Sequence, residues 1–302
     1  MIGLRPLIEW PLVAALVGLF GTALFVLLSC EEGFYDLKQS VPLLLPWWRV
    51  ASLIVLVTAP CMMLDVSAAM AGVSWKEALP LFTEVLTETH AGHVWQWYLP
   101  ALLALVLFAF LSTKQSVRAP AILGLSALII FLQAQLSHAT DKGLFAVIVY
   151  FLHAAAAGLW FGALCAFWIV VRRGLPPSEW VARAALKVSK LAGWAVATLI
   201  LTGIYTAYHG LGFDLYHLLY SAYGRTLLAK VAVFSLVLPI GAYNRYRLLP
   251  RISAASAQRS LLRNVGIESM ILAVGVLGLA AVLANTPPAH GHTMPPGMQM
   301  PM

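Results

Sequence analysis

The residues of this chain that can hold a soft or borderline metal ion are eight histidines, nine methionines and three cysteines, and they are unevenly spread. The final stretch reads NTPPAHGHTMPPGMQMPM, where His290 and His292 stand beside Met294, Met298, Met300 and Met302. Imidazole and thioether donors suit Cu(I) and Cu(II) better than Mg2+ or Ca2+, and zinc seldom takes a thioether. Proline and glycine forbid a helix there, so the stretch is expected to be a flexible arm that captures copper; a polar tail that holds no metal is the alternative. His90 and His93 form an HxxH turn after Glu84 and Glu88, beside Trp95 and Trp97. That turn is either a transient metal site or a polar loop in an aromatic interfacial belt. His209 and His217 flank Asp214 with looser spacing. Cys30, Cys61 and Cys165 lie far apart and fit neither a disulfide framework nor a CxxC pair.

The elements that must position these groups follow from composition. The chain is 61% hydrophobic and 10% charged over 302 residues, with a mean hydropathy of +0.85. That balance excludes a soluble core and implies a polytopic, all-α membrane bundle embedded in a lipid bilayer. Apolar windows place eight spans near 11–29, 49–70, 97–112, 119–137, 144–171, 189–208, 225–243 and 265–284. The first lacks a small-residue cleavage site and is expected to be a helix, not a removed signal peptide. With both termini outside, fourteen Lys and Arg fall in inner connections and five outside. The positive-inside rule therefore orients the chain, weakest at the first inner loop, where Glu31, Glu32 and Asp36 dilute Lys38 and Arg49. The net charge of +7 is then a membrane signature and not a nucleic-acid one.

In this topology every histidine lies outside or in the outer half of a span. His153 sits nine residues into the longest uncharged run, about 13 Å along the helix axis. An imidazole at that depth marks a functional site unless a backbone carbonyl or hydroxyl satisfies it. His138 ends the preceding span, and a short turn at Asp141 makes the two spans antiparallel neighbours whose rings can line one cavity. Met62, Met63, Asp65 or Met70 on the second span can complete such a site, or simply pack. Lys230, two turns into the seventh span, either snorkels outward or lines a pathway. Glu268, expected one turn from the inner face, either pairs with Arg263 or Arg259 or relays protons. Gly158, Trp160 and Gly162 allow a close helix approach.

These residues stand in segments that resemble a known family. LHAAAAGLWFGAL, TGIYTAY, YGRTLLAKVAVF, the basic NRYR and the Glu268 helix ending in ANTPP are similar, in order and spacing, to the copper resistance protein D (CopD/PcoD) family. The likeness is strongest over 138–287, and SHA at His138 replaces a GHA-like triplet while keeping the histidine. THAGHVWQWYLPALLAL is a faint repeat of SAYGRTLLAKVAVFSL, which hints at two parallel four-span halves. The resemblance implies a multi-pass protein of the bacterial inner membrane that handles copper, commonly with a periplasmic copper-binding partner of the CopC type.

The expected organisation is three spans over 1–112, a family-like core of five over 113–287 and a Met/His tail over 288–302. The expected function is copper transport from the periplasmic side, without an enzyme activity and without an ATP motor, since neither GxxxxGK[ST] nor DKTG occurs. One alternative is a periplasm-facing copper binder that passes metal to a partner. Another is a b-type cytochrome with histidine axial ligands to haem.

Overall fold

A computed structural model describes residues 4–29, 37–111, 114–212 and 214–287, with the side chains of 37 and 38 left aside. Cys30, Glu31, Glu32 and Asp36 therefore lie outside the described residues, as do His290, His292 and the four tail methionines; of Lys38 only the backbone is described. Every regular element among the described residues is helical. Eight helices are long and apolar enough to cross a membrane, matching the eight spans read from the sequence.

These are α1 (Arg5–Ser29), α2 (Leu37–Ala71), α4 (His90–Phe110), α5 (Gln115–Gln135), α6 (Leu144–Gly174), α7 (Ser178–Leu211), the seventh span and the eighth. Two short helices lie between spans: α3 (Trp75–Glu88) and α8 (Leu215–Tyr220). The seventh span is α9 (Ala222–Tyr243) continued by a π segment, Asn244–Leu248, and a 3-10 turn to Arg251. The eighth is α10 (Ala255–Met270), a second π segment, Ile271–Val276, and α11 (Leu277–Ala284).

Several helices begin earlier than their apolar windows. α2 runs through Pro42, Pro46 and Pro60, which membrane helices tolerate because neighbours satisfy the freed carbonyls. α7 opens with three turns carrying Arg183, Lys187 and Lys190, and Lys187 Nζ donates to the Leu28 carbonyl at the end of α1. Much of the basic charge expected in loops thus lies on helical extensions.

The core is built on α1, which buries Leu12, Leu16, Leu19 and Phe25 on several sides. Its closest partner is α6. A Cβ on Gly21 would stand 1.8 Å from the Gly158 carbonyl oxygen, and one on Gly162 would stand 2.5 Å from the Gly21 Cα. The two backbones touch, and only glycine permits that. In the same layer Trp48 Nε1 donates to Thr22 Oγ1 at 2.9 Å.

The faint sequence repeat has a structural counterpart. Thr89 donates its hydroxyl to the Val85 carbonyl at 2.7 Å and accepts from Gly92 N–H at 3.0 Å, turning α3 into α4. Ser221 does the same between α8 and α9, donating to His217 at 2.5 Å and accepting from Gly224 N–H at 2.9 Å. A Cβ on Gly92 or Gly224 would stand 2.2 or 2.3 Å from a carbonyl of the preceding helix. Each corner is a hydroxyl cap with a glycine three residues on.

Candidate functional site

With eight antiparallel spans, the ends of the bundle differ in kind. The starts of α4, α6 and α9 and the ends of α5 and α7 meet at one end, which carries His90, His93, His138, His209 and His217. The opposite end carries Arg172, Arg173, Arg245, Arg247 and Arg251.

The histidine end is tied together through backbone. His90 Nε2 lies 3.3 Å from the Gln135 carbonyl, which also accepts from Thr140 Oγ1 at 2.6 Å. Lys142 Nζ donates to the His209 carbonyl at 2.8 Å. Partial burial pulls the Lys142 ammonium below the usual lysine range, against the opposing pull of Asp141. His90 and His93 occupy the first turn of α4, not a loop, and both are exposed. His138 also faces outward, 81% exposed at its side chain, with Nδ1 3.7 Å from Asp141. His138 and His153 therefore occupy different surroundings: one at the rim, the other inside.

Inside, His153 meets Thr202 of α7, Nδ1 to Oγ1, at 2.9 Å. The Thr202 hydroxyl also lies 2.6 Å from the Thr198 carbonyl, and with its proton directed there it accepts from His153 Nδ1–H. In that arrangement the neutral ring keeps its lone pair on Nε2, which a metal ion needs. Gly203 leaves room beside it, a Cβ there lying 3.9 Å from His153 Cε1. Lys230 of α9 is close enough for its charge to act on this ring, and it faces the bundle instead of snorkelling to the rim. Above this layer, Tyr150 lies within electrostatic reach of Glu9 and Tyr223, and Asn285 Nδ2 donates to Glu9 Oε2 at 2.5 Å.

A second polar layer lies seven residues further along α6. Trp160 Nε1 donates to Glu268 Oε1 at 3.0 Å, and Asn244 Nδ2 faces Glu268 Oε2 at 3.4 Å. Asn264 Nδ2 donates to Asn244 Oδ1 at 2.9 Å. Glu268 is 3% exposed and lies thirteen residues into a thirty-residue helical element, one turn past the start of the apolar run read from the sequence. Its partners are neutral: Arg259 and Arg263, the partners expected for it, are exposed. Between the layers, Trp160 packs edge-on against Phe234 at 5.6 Å, one turn from Lys230. Glu268, Asn244, Trp160, Ser189 and Arg245 line a mostly apolar cavity of about 350 Å³.

Other residues singled out by sequence lie elsewhere. Asp65 is bound by Arg5 at 2.5 Å and by Trp75 Nε1 at 3.1 Å. Met62 and Met63 pack into the core, and Met70 is exposed. Among the described residues no three His, Cys, Asp or Glu side chains gather as a metal-holding group. Sequence reasoning missed Thr202 and Asn244 as partners. Yet Thr202 opens TGIYTAY and Asn244 opens NRYR, so the segments that carry the resemblance also line the polar column.

The comparisons bear on the family. A family profile described as copper resistance protein D matches residues 182–283. One described as copper resistance protein D-like, N-terminal domain, matches residues 3–147. Copper resistance protein D of Pseudomonas syringae pv. tomato is 29% identical over 298 residues, covering 93% of this chain and 96% of that protein. Inner membrane protein YebZ of Escherichia coli (strain K12) is 26% identical over 199 residues, 63% of this chain and 66% of that protein. No solved structure matches the chain.

Proposed function

The chain belongs to the copper resistance protein D family, a multi-pass protein of the inner membrane, and from that premise we propose that it carries copper from the histidine end toward the basic end. The observation that supports this most is the polar column itself: His153 and Thr202, then Trp160, then Glu268 and Asn244, in successive layers of apolar spans.

The rim histidines, His90, His93 and His138, with His290, His292 and the tail methionines, collect copper from the periplasm. A periplasmic copper-binding protein of the CopC type is the fitting donor. His153 receives the ion through Nε2 while Thr202 fixes the ring, as hydrogen-bonded partners orient other metal-binding histidines. The nearby Lys230 ammonium repels a cation, which keeps residence short. A conducting path needs such weak sites in series. Met62, Asp65 and Met70 stand aside from this column; Lys230 and Glu268 belong to it.

A second reading has the protein hand copper to a partner without translocating it, and the edge-on Trp160–Phe234 pair, set between His153 and Glu268, favours it. Uptake by proteoliposomes separates the two. On the transport reading, copper added at the histidine end enters the lumen, and His153→Ala cuts the rate at least tenfold. Binding with no lumenal copper in either protein would leave the hand-over reading.

A further inference from the structure

Glu268 has a setting that copper passage alone does not explain. It is buried among apolar helices, and no Lys, Arg or His among the described residues forms an ion pair with it. The ionisable groups near it are few, and Tyr246, which lines the same cavity, is largely exposed. Cys165 of α6 is engaged with Ser269. Arg245 lines the same cavity but turns its guanidinium to Ser189, 3.2 Å from the carbonyl and 3.3 Å from the hydroxyl. α7 contributes Ser189 and apolar side chains to the lining, with no ionisable group. On α9 Lys230 lies beyond Phe234, and on α10 Arg259 and Arg263 are exposed.

Among the described residues no cation is paired with this carboxyl. Trp160 and Asn244 supply donors to the two carboxyl oxygens, and Glu268 lines a mostly apolar cavity that it shares with Arg245. Both spans that frame the site depart from regular α-helix beside it: the π segment Asn244–Leu248 carries its donor, and the π segment Ile271–Val276 begins three residues after Glu268. Such wide turns recur at functional sites, and a buried ionisable group in a membrane bundle usually works.

We propose that Glu268 exchanges a proton with solvent at the basic end through this cavity, and that copper arriving at His153 displaces that proton. The inference rests on the copper reading above. His153 and Trp160 are seven residues apart on α6, about 10 Å along the axis, and between partly buried groups a cation's field still acts over that range. The step balances simply: the carboxyl O–H bond breaks, the proton passes to solvent in the cavity, the carboxylate remains, and the reverse occurs when copper leaves. No electrons move.

The test counts protons released when copper is added to the detergent-solubilised full chain in weak buffer, across mildly acidic to neutral pH. The expected result is up to one proton fewer per bound copper in Glu268→Gln than in the wild type. Equal counts at every pH overturn the proposal. If Glu268→Gln does not fold, Trp160→Phe, which removes one donor, is expected to move the midpoint of that pH dependence; an unmoved midpoint also overturns it. Infrared spectra of the wild type give an independent reading, because the carboxylic C=O band of Glu268 should respond to external pH without copper and weaken when copper binds. A band that responds to pH but not to copper overturns the displacement. A wild type that binds no copper in the bundle overturns the transport reading, while the copper-free pH response still decides whether the cavity passes protons.

Discussion

A histidine can hold a metal ion only if one ring nitrogen keeps its lone pair, and in this bundle a threonine decides which. Thr202 has one hydroxyl proton, and with it directed to the Thr198 carbonyl at 2.6 Å the oxygen accepts from His153 Nδ1–H. Thr202→Val removes that acceptor while keeping nearly the same volume. The ring then loses its orientation, and copper affinity of the bundle site is expected to fall roughly 10- to 100-fold, the usual cost of losing a partner of this kind. Isothermal titration with the tail removed measures it; an unchanged affinity would place the copper on other ligands. Asp65 illustrates the opposite case, since its carboxylate is already held by Arg5 and Trp75 and its part is to tie α1 to α2 and α3.

At the scale of elements, the layers on α6 stay in register because α1 lies directly against it. Gly21, Gly158 and Gly162 bring the two backbones together, and a leucine at 21 would have to push one of them away. Over-packing of that kind usually costs about 1–3 kcal/mol, more where backbone is the obstacle. Gly21→Leu is therefore expected to lower the thermal midpoint in detergent and to reduce copper binding with it, although residue 21 touches none of the polar groups. A variant as stable as wild type would show that the contact is looser than the geometry describes. The paired corners at Thr89 and Ser221 make a related point. Each starts a long span from a short helix with the same hydroxyl–glycine chemistry, as expected of two halves built alike.

For the whole molecule, the spans were legible because each is an apolar run long enough to cross a bilayer. Their ends were less so. The first turns of α7 and α10 carry arginines and lysines that a hydropathy window counts as loop, although the chain there is helical. His153 stood out because an imidazole is rare inside a span. Its partner did not, since Thr202 is forty-nine residues away and an ordinary helix residue until α6 and α7 pack. Asn244 was hidden in the same way, reading as the edge of a basic stretch until the π turn aims it at Glu268. His138 shows the converse: its spacing proposed a buried partner for His153, but the turn through Thr140–Lys142 leaves it facing outward.

The most direct test of this account is copper stoichiometry with an optical spectrum on three purified proteins: wild type, His153→Ala, and a chain truncated after Pro287. The account predicts that truncation weakens capture but leaves copper in the bundle, that His153→Ala loses this copper, and that no Soret band appears. Copper unchanged in His153→Ala, or lost entirely with the tail, would contradict a copper site inside the bundle; a Soret band would make the buried histidine a haem ligand instead.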